Sequence, residues 1–355
     1  MLKYKKFSLG LLGFSALLLL IYVVMSLLGY MASAGPVLVF FFISLAAGFS
    51  GFSHLRGYVY TIMIFAAVSL AMYYPEYFIS LGDFKLTGLI TPLIQLIMFG
   101  MGTSMSARDF ESVIRAPRGV LVGVTAQFLI MPLSGFVLAG LSDFPAEIAA
   151  GIVLIGCSPS GMASNVMAYL AKANLALSLT ITSIATLLSP FLTPVLMKLL
   201  AGEFIAIDVL AMMWSIVKMI IIPIGAGLIF NRLLHGRAKW LDRAMPVVSM
   251  AGIALIIVVI TAAGRDSLLD IGLVLLLLVL FHNLFGYTLG YWYARLFRLP
   301  ERDARTVAIE VGMQNGGLAS GIAHSVGKIA TMGLAPAIFG PLMNITGSVL
   351  ASYWH

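Results

Sequence analysis

Twelve apolar runs are spaced along the chain, at roughly 7–31, 35–52, 58–72, 87–105, 119–140, 146–171, 175–200, 207–231, 243–263, 271–294, 305–326 and 329–353. Each is near the length at which a helix crosses about 30 Å of hydrocarbon, roughly 20 residues. The pattern predicts an all-α polytopic membrane protein, with 35–52 the weakest of the twelve spans. The first run follows Lys3, Lys5 and Lys6. It is longer than the roughly 7–15 residues of a signal-peptide core, so a retained signal-anchor helix is expected although Ala32-Ser33-Ala34 resembles a cleavage site. Two runs are interrupted midway. One contains Cys157-Ser158-Pro159-Ser160-Gly161-Met162-Ala163-Ser164-Asn165, the other Glu310-Val311-Gly312-Met313-Gln314-Asn315-Gly316-Gly317. Proline and glycine weaken a helix there, beside side chains with oxygens to offer.

Charge gives the runs a direction. With the N-terminus in the cytoplasm, sixteen of the 21 Lys and Arg fall on the cytoplasmic side, among them Arg108, Arg115 and Arg237. Lys85, Lys198, Arg265 and Lys328 fall outside, and Lys218 lies within a span. Such a bias sets orientation, and it places both termini inside; a bacterial-type plasma membrane is the expected location. Setting aside 1–52 as an additional helical hairpin, the remaining ten spans divide into two fives of opposite orientation, 53–205 and 206–355. The interrupted run is the fourth span of each five. Paired interruptions of this kind point to inverted repeats with a binding site near the midplane.

The 355 residues are 61% hydrophobic and 10% charged, with no soluble domain in the pattern. The net charge of +7 sits in short loops between spans, so it is not a nucleic-acid signal. A single cysteine, Cys157, excludes an intrachain disulfide framework and a cysteine metal site. The histidines His54, His235, His282, His324 and His355 have no metal-ligand spacing.

Glu310 is the one acidic residue well inside a span. A carboxylate at that depth is costly and calls for a function or a partner. Pairing with Lys218, or staying protonated and hydrogen-bonded, would be the purely structural explanation, but the neighbouring Gly, Gln and Asn suit cation ligation better. Sodium needs several oxygens, and an unwound segment adds backbone carbonyls, here those of Val311 and Met313, to the Glu310 carboxylate and the Gln314 amide. In the first half the matching oxygens are Ser164 and Asn165, with Ser178 and Thr182 one turn apart on the next span. Gln127 is a further midspan amide. Two other classes compete: an intramembrane serine hydrolase built on Ser158 or Ser160 with His282 or His324, and a metalloid (arsenite-type) efflux carrier using Cys157. The first lacks a Gly-x-Ser-x-Gly elbow, and neither gives Glu310 a task. A proton-coupled carrier that protonates Glu310 is the nearer alternative.

These residues resemble the bile acid:sodium symporter family, bacterial branch. The resemblance rests on Gly161-Met162-Ala163-Ser164-Asn165-Val166-Met167-Ala168-Tyr169-Leu170-Ala171, Ala176-Leu177-Ser178 through Thr182-Ser183, Leu188-Ser189-Pro190 and Glu310-Val311-Gly312-Met313-Gln314-Asn315, and covers roughly Tyr58 to the C-terminus. It implies a panel and a core of helices, two crossing broken helices, and two sodium sites. The first would use Ser164, Asn165, Ser178, Thr182 and Glu310; the second Gln127, Glu310, Gln314 and the Val311 and Met313 carbonyls. It implies symport of a small organic anion by alternating access, with sodium as the coupling ion, no other cofactor and no enzymatic reaction. Asn315, Asn344, Met162 and Gly316 are the matching positions near the substrate. Met162 stands where several bacterial members have Thr, and Met343 where some have His; both make the pocket more apolar and flexible. A bile acid, a pantoate-like acid and other carboxylates fit equally. The partners are then the anion, sodium and the lipid bilayer; a monomer is compatible with all of this.

Overall fold

A computed structural model describes residues 2–52, 55–104, 117–234 and 239–355. Arg108, Arg115 and Arg237 of the charge pattern, and His54 and His235, lie outside the described residues. The described residues are almost wholly helical, and the one sheet among them is the hairpin of β1 (Ser80–Leu81) and β2 (Phe84–Lys85). Among the described residues, eight helices are long and apolar enough to cross a membrane, and Gly35–Ser50, Ala146–Cys157 and Val247–Ala263 are shorter apolar helices. This is an all-α polytopic membrane protein.

The chain forms two compact units, Met1–Leu86 with Ile257–Arg265, and Thr87–Ile256 with Asp266–His355. In the first, α1 (Leu2–Leu27) packs on α2 (Gly35–Ser50), and α2 on α3 (Val59–Tyr73). Small residues allow the approach: Gly48 faces Leu12, and Gly51 faces Ser8. Close packing through small side chains is how helices associate where lipid removes the hydrophobic drive. Ala71, Val258 and Ala262 form a small core against Ala67 and Phe78, and Arg265 Nε donates to the Met72 carbonyl at 2.6 Å. The short α4 (Glu76–Ile79) leads into the β-hairpin.

The second unit holds α5 (Ile90–Ser104), α6 (Pro117–Gly140), α7 (Ala146–Cys157), α8 (Ala163–Leu170), α9 (Leu175–Leu200), α10 (Val209–Ile216) and α11 (Ile222–Leu234). It continues with most of α12 (Lys239–Ala263) and α13 (Arg265–Leu296), then α14 (Glu301–Gly312), α15 (Gly316–Ser325) and α16 (Leu334–Trp354). The 146–171 and 305–326 spans are each a pair of half-helices, as their proline and glycine content predicts. The 207–231 span holds a π-helical stretch, Val217–Ile221, between α10 and α11, just before Pro223, which has no N–H and crowds the Met219 carbonyl one turn back. Gln95 Nε2 donates to the Lys218 carbonyl there at 3.2 Å.

The two breaks meet. Pro159 has no N–H to continue α7 and favours extended backbone before it, and Ser158 is extended (φ −79°, ψ 152°). On the other side α14 stops at Gly312, and Met313 is extended (φ −110°, ψ 93°). Ser160 and Gln314 then pair as an antiparallel bridge. Gly161 N–H donates to Met313 O at 2.9 Å and Asn315 N–H to Pro159 O at 2.8 Å. Two interrupted helices thus satisfy each other's freed backbone groups, which lipid cannot do. A Cβ on Gly161 would lie 3.0 Å from the Gln314 carbonyl oxygen, so glycine permits the approach.

Candidate functional site

Register between α9 and α14 is set at one end of the unit. Asn174 caps α9 by accepting from Leu177 N–H at 3.2 Å, while its own N–H donates to Thr306 Oγ1 at 2.8 Å and its Nδ2 to Asp303 Oδ1 at 2.8 Å. One turn further along both helices, Ser178 faces Glu310. Asn174→Ala is expected to cost about 1 kcal/mol of stability from the lost cap, and to loosen the site a turn away. Thermal unfolding together with sodium titration of the variant checks both.

Glu310 is fully buried and accepts from three hydroxyls. Ser164 Oγ lies 2.6 Å and Ser178 Oγ 2.5 Å from Oε1, and Thr182 Oγ1 lies 2.8 Å from Oε2. Asn165 Oδ1 stands 2.9 Å from Ser178 Oγ and 3.4 Å from Thr182 Oγ1, and Gly161 O 2.7 Å from Ser164 Oγ. Three hydroxyl protons therefore serve four acceptor oxygens: both oxygens of Glu310, Asn165 Oδ1 and Gly161 O. Three elements, α8, α9 and α14, build a largely buried cluster rich in oxygen lone pairs. A hydroxyl keeps lone pairs free to turn toward a cation when its proton rotates away.

Lys218 is exposed and makes no ion pair with Glu310, so that pairing does not account for the carboxylate. The hydrolase reading finds no geometry either. Ser158 Oγ donates to Leu154 O at 2.9 Å, and His282 Nε2 bonds Met131 O at 2.9 Å. Cys157 is fully buried, and its thiol takes no part in the oxygen cluster.

A second polar cluster lies along the same crossing. Gln127 Nε2 donates to Gln314 Oε1 at 2.8 Å and to Ser158 O at 2.9 Å, and Gln314 Nε2 donates to Val311 O at 2.6 Å. Gln127 Oε1 is buried with no donor opposite it. Native proteins rarely leave such atoms orphaned without a reason. The Met313 carbonyl takes the Gly161 N–H, and the Glu310 hydrogen bonds all lie in the first cluster. Asn315 caps α15 by accepting from Leu318 N–H at 3.0 Å, whereas Met162 at the start of α8 makes no side-chain cap. Gly316 approaches α16, where a Cβ would meet Pro336 O at 3.0 Å. Asn344 is half-buried on α16, one turn beyond Gly340.

The sequence reading missed the support behind the α14 break. Asn283 of α13, fully buried, donates Nδ2 to Gly312 O at 2.8 Å and accepts from Thr346 Oγ1 at 2.6 Å. Tyr287, one turn on, donates to Met343 O at 3.2 Å. His282-Asn283 is a polar pair in a long apolar run, a signal that was present in the sequence.

Comparison with known proteins decides what this arrangement belongs to. The model of the Sodium Bile acid symporter family matches residues 91–271. An uncharacterized sodium-dependent transporter of Bacillus subtilis, YocS, is 39% identical over 303 residues, covering 85% of this chain and 92% of that protein. This chain belongs to the sodium bile acid symporter family. Its relatives extend to plants. The probable sodium/metabolite cotransporter BASS5 of Arabidopsis thaliana is 32% identical over 301 residues, covering 82% of this chain and 73% of that protein. The probable sodium/metabolite cotransporter BASS1 of rice (Oryza sativa subsp. japonica) is 29% identical over 301 residues, 83% and 72% of the two chains. Membership makes the chain a multi-pass membrane transporter of a sodium symporter family, not an enzyme.

Proposed function

We propose that this transporter couples sodium entry to the movement of a small organic anion, with two sodium ions bound beside the crossing of its broken helices. The carrying observation is the buried Glu310 among Ser164, Asn165, Ser178 and Thr182, where acceptor oxygens outnumber hydroxyl protons. A sodium ion among these oxygens would take the lone pairs that the hydroxyls turn inward and offset the carboxylate charge. The second ion would be held by Gln127 through its unpartnered Oε1, with Gln314, Glu310 and the Val311 and Met313 carbonyls. Two sodium ions carry +2 against the one carboxylate. The excess, with the uncapped positive end of α8 behind Met162, favours an anionic substrate near Asn315, Gly316 and Asn344. Bound sodium and bound anion then each ease the other's entry, which is coupling.

Two matched half-helix pairs joined by one backbone bridge support inverted repeats, and in such a frame one bundle rocks against another to give alternating access. The charge bias supports cytoplasmic termini in a plasma membrane. Proteoliposomes holding the purified chain test the function: carboxylates and bile acids are offered under an inward sodium gradient. Uptake that collapses when choline replaces sodium at fixed pH supports the reading, and uptake that follows a proton gradient instead refutes it. Ser178→Ala removes one oxygen ligand of the first cluster. It is expected to weaken apparent sodium affinity roughly tenfold, the effect of about 1.4 kcal/mol, which a sodium titration of uptake measures.

A further inference from the structure

Away from the crossing, an open groove of about 650 Å³ runs between α6 and α13, lined by Ile130, Leu289, Trp292, Tyr293, Arg295 and Leu296. We propose that it seats one anionic glycerophospholipid, its acyl chain along the apolar lining and its phosphate at the arginine end. Trp292 is 64% exposed and Leu296 76%, so the lining faces outward. Tyr293 OH donates to Thr125 Oγ1 at 3.3 Å, tying α6 to α13 along the groove. From Arg118 to Ile130 the α6 helix rises about 18 Å, close to one leaflet of a hydrocarbon core about 30 Å thick. The α13 part of the lining, Leu289 to Leu296, rises about 10 Å, with its one charged residue, Arg295, toward the Leu296 end.

That end is basic. Arg118 Nη2 donates to Phe297 O at 2.6 Å, which brings its guanidinium to the C-terminus of α13. Arg295 Nη1 donates to Leu299 O at 3.0 Å, and Arg298 is exposed beside them. A guanidinium has five N–H donors, so one carbonyl bond leaves most of each fork for a phosphate. Glu301 is the nearby acid, 3.9 Å from Arg295 and already 3.0 Å from Arg305. The cluster is left net positive. Trp292, Tyr293 and Phe297 supply the aromatic residues that sit at headgroup level, the Tyr293 and Phe297 rings being 4.9 Å apart. An apolar lining, an aromatic rim and arginines in excess of the acid beside them match an anionic lipid of the leaflet that is cytoplasmic in the orientation proposed above.

The test uses the full chain in detergent with phosphatidylglycerol, phosphatidylcholine of the same acyl chains, and glycerol 3-phosphate, read by native mass spectrometry and thermal shift. Phosphatidylglycerol is expected to be retained and to raise the melting temperature, and the other two are not. Arg118→Gln with Arg295→Gln should weaken phosphatidylglycerol about thirtyfold, two charges at the strength typical near anionic membranes. Leu289→Trp, which fills the groove but keeps the arginines, should also lower retention. If the lost carbonyl bonds unfold the double variant, Arg298→Gln alone should weaken binding about fivefold. Equal retention of phosphatidylcholine would mean ordinary boundary lipid, and stabilisation by glycerol 3-phosphate would mean a free-anion site. Either outcome, or variants that bind phosphatidylglycerol as tightly as the wild type, overturns the proposal.

Discussion

Replacing Glu310 with Gln is expected to abolish sodium-dependent transport while leaving the sodium-free protein at least as stable as the wild type. The two halves of that result come from one fact. Glu310 is fully buried, so its charge is held away from water at a cost that hydroxyl hydrogen bonds offset only partly. Glutamine has the same shape and removes that cost. It still accepts from Thr182 or Ser164 through its carbonyl oxygen, but its NH2 group faces oxygens that would otherwise surround a cation. Losing one partner of a buried charge pair is worth about 3–5 kcal/mol, which corresponds to two to three orders of magnitude or more in affinity. Sodium should therefore no longer raise the melting temperature of the variant, even where it strongly stabilises the wild type. A variant that is merely misfolded would lose stability without sodium too, which separates damage from loss of the ion site. Thermal unfolding in choline chloride and in sodium chloride reads both halves.

Gly286→Val is expected to have the next largest effect, through the backbone. Gly286 lies on α13 beneath the α14 break, where a Cβ would stand 2.7 Å from Met131 Sδ, 2.8 Å from Gly312 Cα and 3.1 Å from Val311 O. The methionine can give way, but the Gly312 backbone cannot move without carrying the crossing with it. Overpacking of this kind costs about 1–3 kcal/mol, and a valine adds two further methyl groups. The displaced Val311 carbonyl is the acceptor of Gln314 Nε2, so the second polar cluster shifts together with the break. Asn283, one turn away, would also lose its hold on Gly312 O. Apparent sodium affinity should fall more than tenfold and the melting temperature by several degrees, with Gly286→Ala intermediate in both. A titration of sodium-driven uptake in the three proteins orders the effects.

Much of the crossing was legible in the sequence because its causes are local. Pro159 follows the end of one half-helix and Gly312 ends the other, each beside polar side chains that mark the break, whereas Pro132, Pro190 and Pro194 stay inside helices. Ser178 and Thr182 share a face by helical spacing alone, and a deep carboxylate announces itself by cost. What was hidden is non-local. The pairing of Asn174 with Thr306 and Asp303 joins segments some 130 residues apart, and no spacing rule connects them. Asn283 is a single amide in a 32-residue helix whose apolar length dominated the reading. The π-helical stretch at Val217–Ile221 lies just before Pro223, which cannot bond the Met219 carbonyl one turn back, a signal the sequence reading did not use. Lys218 illustrates the same point from the other side. Its depth in the sequence made it a natural partner for Glu310, yet the helix turns it outward.

The central claim is that the Glu310 cluster is a sodium site. Thermal unfolding of the purified chain as sodium chloride replaces choline chloride at constant ionic strength and pH tests it most directly. The melting temperature should climb with sodium in the wild type, climb only at higher sodium in Ser178→Ala, and stay flat in Glu310→Gln. A wild type that melts at one temperature throughout the series, or a Glu310→Gln protein that sodium still stabilises, would contradict it.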